Sequence, residues 1–215
     1  MIRALILDFD GLVLDTETSL IDAYGDVHAA HAVPFDRALF IRGVGHADYS
    51  FDPWRKFGPA ADRGLLETER RAFNRARGEG QPILPGVVAL VDAAGEAGLR
   101  LGIASNSGHE HVEGHLGRLG LLDRFEFVAC REDVASPKPE PDLYRLVLNQ
   151  FGLGGREAIA FEDSLTGIIA AKRAGLRVVA VPNASTGDHD MSRADLCVGS
   201  LADCRLPELL AQFNP

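Results

Sequence analysis

The sequence predicts an α/β protein: a doubly wound parallel sheet with a helical segment inserted early in the chain. Three observations lead there. From about Leu84 onward, short apolar runs alternate with helix-patterned stretches, the signature of stacked βαβ units. One more such run, Leu5 to Asp8, opens the chain. Between Thr16 and about Gln81 the strand-like runs vanish and polar, helix-compatible stretches punctuated by Gly and Pro take their place.

Taken in order, Leu5 to Asp8 is the first strand. The following insertion has turn signals over Ile41 to Pro59 (Gly43, Gly45, Asp52-Pro53, Gly58-Pro59), which predict loop and short helix, and Trp54 with Phe51 and Phe57 supplies an apolar centre. Pro85 then opens a helix whose apolar face is Val87, Val88, Leu90, Val91 and Ala94, and Gly98 closes it before the strand Leu99 to Ala104. The next helix carries Val112, Leu116 and Leu119 on one stripe and stops at Gly120. Further buried strands are predicted at Phe125 to Ala129, Ala158 to Phe161, Val178 to Val181 and Leu196 to Val198. These boundaries predict a Rossmann-like core over residues 1–15 and 82–215 and a helical cap over residues 16–81.

Composition narrows the classes. The chain of 215 residues, 46% hydrophobic and 25% charged, is long enough for one α/β core with a modest insertion. Runs such as Val178-Val179-Ala180-Val181 are far too short to span a bilayer, and Ile2 to Leu7 lacks the flank and cleavage site of a signal peptide. Cys130, Cys197 and Cys204 fit neither a disulfide framework nor a cysteine zinc site, so a cytoplasmic location is expected and the Asn183-Ala184-Ser185 sequon reads as incidental. A net charge of −9 argues against nucleic acid and anionic membranes as partners, so any anionic ligand must be attracted locally.

Four polar clusters follow predicted strands: Asp8-Phe9-Asp10-Gly11, Ser105-Asn106-Ser107, the Lys138 loop, and Glu162-Asp163. In a parallel sheet the carboxyl ends of the strands share one edge, so these clusters are predicted to converge. Singly, each admits a bland reading: Asp10-Gly11 as a turn, Ser105 as a helix cap, Glu162-Asp163 as the acidic start of a helix. Together they suit chemistry on a phosphate. Asp8 ends an apolar strand, where a charge is costly unless a cation compensates it. Asp10 faces the same way if the strand persists, which pairs a nucleophile with an acid/base. Attack by a carboxylate on a phosphate meets repulsion on the order of 4 kcal/mol per pair of unit charges at about 4 Å and an effective dielectric near 20. A magnesium ion on Asp8, the Asp10 carbonyl and a carboxylate from Glu162-Asp163 would remove it. Lys138 is one of only three lysines among 22 basic residues and sits among Pro137, Pro139 and Pro141, which suggests a fixed point charge for a phosphoryl oxygen and for Asp8. Ser105 and Asn106 can donate hydrogen bonds to the same phosphate.

At this point the residues resemble a known family. Asp8 to Glu17 (Asp-Phe-Asp-Gly-Leu-Val-Leu-Asp-Thr-Glu), Ala104-Ser105-Asn106-Ser107, Ser136-Pro137-Lys138-Pro139 and Phe161-Glu162-Asp163-Ser164 resemble, in order, the four motifs of haloacid-dehalogenase-like hydrolases. The helical segment resembles the cap of the subfamily containing β-phosphoglucomutases and phosphoglycolate phosphatases. The resemblance implies a phosphatase of small phosphorylated metabolites, a sugar or polyol phosphate. It implies that Asp8 takes the phosphoryl group, and that Asp10 protonates the leaving oxygen and then activates water. Ser105 and Lys138 would bind the phosphoryl group; Asp8, Asp10 and Asp163, with Glu162, would hold Mg2+.

Departures within the family also inform. Dehalogenases lack the second aspartate and the acidic pair. A β-phosphoglucomutase-type mutase is the second reading, because Arg42-Gly43-Val44-Gly45 resembles the mutase cap loop. His46, however, stands where those enzymes carry an arginine, and Leu20 where they carry a histidine, which favours hydrolysis. Arg42 and His46 are candidate substrate contacts from the cap. His111 and His115 have the spacing of a zinc pair, but with no third ligand in the pattern they read as a solvated helix edge. A phosphorylation-sensing receiver is disfavoured by the insertion straight after the first strand. A silent binding protein is disfavoured because none of Asp8, Asp10, Lys138 or the acidic pair is missing.

Overall fold

The computed structural model describes residues 1–41, 52–78, 80–187 and 189–214. Six parallel strands form one sheet in the order β3-β2-β1-β4-β5-β6. They are β1 (Ala4–Leu7), β2 (Arg100–Ala104), β3 (Phe127–Ala129), β4 (Ala158–Glu162), β5 (Arg177–Ala180) and β6 (Leu196–Cys197). Every predicted strand is present. The order reverses direction at β1, which pairs with β2 from Ala4↔Arg100 on one side and with β4 from Ala4↔Ala158 on the other. That reversal leaves a crevice beyond the carboxyl ends of β1 and β4, the place where open α/β sheets bind ligands.

The four central strands, β2, β1, β4 and β5, are buried on both faces, as helices covering a parallel sheet require. One face presents Leu5, Leu7, Ile103, Ile159, Phe161 and Val179. Helices α4 (Val87–Glu96), α5 (His109–Arg118) and α8 (Leu206–Phe213) cover it. The alternate residues, among them Ala4, Ile6, Ala104, Ala160, Val178 and Ala180, face α6 (Asp142–Phe151) and α7 (Leu165–Arg173). That second face is rich in alanine, so its helices lie close. A Cβ on Gly102 of β2 would stand 2.6 Å from the Val147 side chain of α6. In α4 the buried positions are Val87, Leu90, Val91 and Ala94, a spacing that lies on one helical stripe. Val88, predicted on that face, is 41% exposed, because one residue's rotation carries it off the stripe.

Between β1 and α4 the chain makes α1 (Thr16–Ala30), α2 (Arg37–Ile41) and α3 (Arg63–Gly78). Helix α1 is capped by the Asp15 carboxylate, which accepts from Thr18 N at 3.0 Å. Trp54 packs with Val27 and Leu66, and with the half-buried Tyr24 and Phe57, as a small separate core. Phe51, Arg42 and His46 lie outside the described residues. The chain re-enters the core beside its exit: Leu14 and Ile83 form an antiparallel bridge, Leu84 N donates to Val13 O, and Gln81 Nε2 donates to Asp15 O at 2.5 Å. Among the described residues no helix is long and apolar enough to cross a membrane.

Candidate active site

Strand β1 is wholly apolar and buried, and its pairing runs one residue further, through Asp8 N to Phe161 O, so the chain delivers Asp8 to the crevice as its first polar group. The chain turns at Gly11, with φ +76° and Gly11 N bonded to Leu14 O. A Cβ at Gly11 would stand 2.3 Å from Asp163 Oδ2, so only glycine lets the first-strand loop pass the end of β4.

Behind Asp8 lies a buried ionic cluster. Lys138 Nζ donates to Asp8 Oδ1 at 2.7 Å and to Glu162 Oε1 at 2.6 Å, and the Tyr144 hydroxyl donates to the same Glu162 oxygen. Glu162 is fully buried under α7, where a Cβ on Gly167 would collide with its carboxylate. Asp8 and Asp163 line the cleft and Glu162 does not. Burial pushes Asp8 up to about 7 despite the neighbouring ammonium, and pushes Asp163 well above the usual carboxylate range, with Glu17 and Asp8 adding to the effect. Burial draws Lys138 down, but Asp8 and Glu162 outweigh it and hold the lysine above its ordinary value.

The side chain of Asn106, expected to face a phosphate, is engaged by the loop that carries Lys138. Its Oδ1 accepts from Lys138 N at 2.9 Å and its Nδ2 donates to Lys138 O at 3.1 Å. Asn106 therefore fixes the lysine's backbone. Ser105, fully buried, accepts from Ser107 N and directs its hydroxyl toward Asp10 at 3.4 Å.

Asp10 is encircled by donors. Thr16 Oγ1 donates to its Oδ1 at 2.6 Å and Ser107 Oγ to its Oδ2 at 2.6 Å, and His111 Nε2 stands 2.8 Å from Oδ1. Burial would raise this carboxyl, but the bonds from His111, Ser107 and Thr16 prevail and hold it below the usual range, while the imidazole is raised against its own burial. This corrects the expectation of a solvated edge for His111. The residue sits in the first turn of α5, immediately after the Ser105–Ser107 loop, and its phase turns it inward onto Phe9 and Asp10. His115 packs against the His111 ring with centroids 4.8 Å apart. Asn183 was also missed. It follows β5, donates to Asp163 Oδ2 at 2.8 Å and to Gly11 O at 3.0 Å, and so ties the Asp163 carboxylate to the turn. The signal was available, since Asn183 lies just past a predicted strand, on the same carboxyl edge.

One carboxylate oxygen from each of Asp8, Glu162 and Asp163 lies within 4.8 Å of the others. Three acidic groups share this buried space with one ammonium, an imbalance of about two charges when all are ionised. The donor set is all oxygen and suits a hard divalent cation. The cleft above it, about 340 Å³, is lined by Asp8, Asp10, Glu17, Leu20, Lys138 and Asp163 among others.

Residues 2–175 match the family of haloacid dehalogenase-like hydrolases. The chain belongs to that family. It is 38% identical to YhcW of Bacillus subtilis (strain 168) over 218 residues, covering 100% of this chain and 99% of that protein. It is 32% identical to hexitol phosphatase B of Escherichia coli (strain K12), over 97% of each chain. The fold superposes with a TM-score of 0.75 on CbbY of Rhodobacter sphaeroides, a variant of which was crystallised with xylulose-(1,5)bisphosphate; that pair is 27% identical over 94% of this chain and 96% of the other. As a family member with phosphatase relatives, this protein is a phosphoric monoester hydrolase.

Proposed function

We propose that this protein is a magnesium-dependent phosphatase acting on a small phosphorylated sugar or polyol, with residues 16–81 serving as a cap over the cleft and the enzyme working in the cytoplasm. The observation that carries the reading is the Asp8–Lys138 pair at the switch point, facing Asp10 across one cleft. Lys138 neutralises one charge beside the attacking oxygen and holds Asp8 in place; Ser105, buried behind the cleft, supports the phosphoryl pocket through Ser107 and Asp10, and Asn106 supports it through the Lys138 loop. Asp8 and Asp163, with the Asp10 carbonyl and the Glu162 carboxylate in support, would hold the ion. When bound, magnesium supplies the positive charge that offsets repulsion between Asp8 and the phosphate.

Asp8 attacks phosphorus, the bond to the substrate oxygen breaks, and a phosphoaspartate forms. The leaving oxygen takes the proton shared between Asp10 and His111, and Asp10 then accepts one from the water that hydrolyses the acyl phosphate. The relatives support the substrate class, since hexitol phosphatase B is named for a polyol phosphate and the CbbY variant holds a sugar bisphosphate. Leu20 on the cleft wall offers no hydrogen bond, which favours release of the product over its recapture as a mutase requires.

Phosphate release from a panel of phosphomonoesters, with and without magnesium, tests the reading on the native enzyme beside Asp8→Asn. Release that needs both the ion and Asp8 is expected. Conversion of β-glucose 1-phosphate to the 6-phosphate without release would establish the mutase instead.

A further inference from the structure

A second cleft, about 500 Å³, opens between α3 and α5 and joins the first through Thr16, Asn74 and His111, which line both. Two features of its wall are unexplained by the chemistry at Asp8. The first is a set of buried polar atoms, Ser19 Oγ, Asn74 Oδ1 and Gln81 Oε1, that have no hydrogen-bond partner among the described residues. Ser19 is only 5% exposed. The orientation of Gln81 is fixed, because its Nε2 donates to Asp15 O, so its free oxygen is an acceptor. Leaving such atoms unpaired is costly unless a ligand supplies the partner, and acceptors call for groups carrying protons, such as hydroxyls.

The second feature is charge. Arg71 and Arg75 of α3 and Arg118 of α5 line the cleft in a chain of net charge −9, and they outnumber the two carboxylates there, Glu110 and Glu132. Arg75 has no ion-pair partner among the described residues, and Arg118 meets only the Gln81 carbonyl and His115. Arg71 reaches Glu67 through Nε alone, at 3.3 Å. The guanidinium groups of Arg75 and Arg118, left without carboxylates among the described residues beside a line of acceptors for hydroxyls, describe the shape of a ligand.

We propose that this cleft receives the far end of the substrate, and that the far end is a hydroxylated chain ending in a second anionic group, a carboxylate or a second phosphate. Resting on the phosphatase reading, this specifies its substrate class: a phosphorylated sugar acid or a sugar bisphosphate rather than a polyol phosphate with one anionic group. Asn74 and Gln81 accept from the chain hydroxyls, and Arg71, Arg75 and Arg118 take the terminal anion.

The test compares kcat/KM for glucitol 6-phosphate, 6-phosphogluconate and glucitol 1,6-bisphosphate, which share a chain and differ at the end remote from one phosphate. At least one doubly anionic compound is expected to exceed glucitol 6-phosphate by about tenfold or more, and which one it is tells carboxylate from phosphate. In the double variant Arg71→Ala/Arg75→Ala that ratio is expected to fall toward unity; a folding defect would lower all three values and leave the ratio intact. Equal use of the three compounds by the native enzyme, or a ratio unmoved by the double variant, would overturn the proposal. Calorimetry on Asp8→Asn separates it from the reading beneath it. Tighter binding of a doubly anionic compound, in a protein whose native form releases no phosphate, would keep the subsite and discard the phosphatase; phosphate release without any preference would do the reverse.

Discussion

In the proposed mechanism Asp10 serves both half-reactions, and its surroundings hold it ionised and in place. Thr16 and Ser107 supply two of its three short bonds and His111 the third. Because acid–base assistance contributes about 10²- to 10⁴-fold, removing one of three anchors is expected to lower kcat by about tenfold while leaving KM nearly unchanged. His111→Leu removes both the donor and the shared proton; His111→Gln keeps an N–H at similar reach but no transferable proton, and is expected to recover only the part of the loss that comes from positioning Asp10. Steady-state kinetics on both variants check this, and a fully active leucine variant would show that Thr16 and Ser107 suffice. The convergence of Asp8, Lys138 and the acidic pair was legible in the sequence, because each directly follows a strand-like run or sits in a proline-stiffened loop. His111 was not, since its partner depends on the phase of a helix relative to a loop 101 residues away in sequence. Tyr144 was equally hidden: as the third residue of an amphipathic helix it reads as core, and only the packed structure shows its hydroxyl on Glu162.

At the scale of elements, the same substitution should have opposite signs in two helices. Gly114 is in the interior of α5 with open space around its missing Cβ, so Gly114→Ala is expected to stabilise the protein by about 0.5–1 kcal/mol through helix propensity alone. Gly167 lies in the first turn of α7, where a Cβ would sit 2.0 Å from the Glu162 carboxylate. Gly167→Ala is expected to cost about 1–3 kcal/mol by overpacking, and also to lower kcat, because the displaced Glu162 carries Lys138 with it. Urea denaturation of both variants gives the signs, and a Gly167→Ala protein as stable and active as the native one would mean that α7 yields without moving Glu162. The sheet itself was readable from periodicity, because its central strands are buried apolar runs between turn signals. The exposure of Val88 and the close approach of α7 were not, since both depend on the angle at which a helix meets the sheet.

For the molecule as a whole, the buried carboxylates couple stability to pH and, on the proposed function, to magnesium. Asp8 is raised from 3.8 to about 7 by burial, Glu17 from 4.5 to about 8 by burial and the Asp8 charge, and Asp163 well above its ordinary value. A carboxyl whose pKa is higher folded than unfolded keeps a proton that the unfolded chain has released, so its stability contribution is full below about pH 4 and is lost as pH rises toward the folded values. In a chelator, the melting temperature should therefore fall by several degrees between about pH 5.5 and about pH 8.5, at roughly 2–4 °C per kcal/mol for a chain of this length. A divalent cation competes with those protons for the same oxygens. Magnesium is thus expected to raise the melting temperature more at the alkaline end than at the acidic end and to flatten the profile. Asp163→Asn removes one of the raised groups and one oxygen donor, so its profile in chelator should be shallower and its response to magnesium smaller. Scanning calorimetry across that range decides the matter. A native profile in chelator that is level, or that climbs with pH, would mean that Lys138 alone balances the cluster and that the three carboxylates are ionised without need of a second cation.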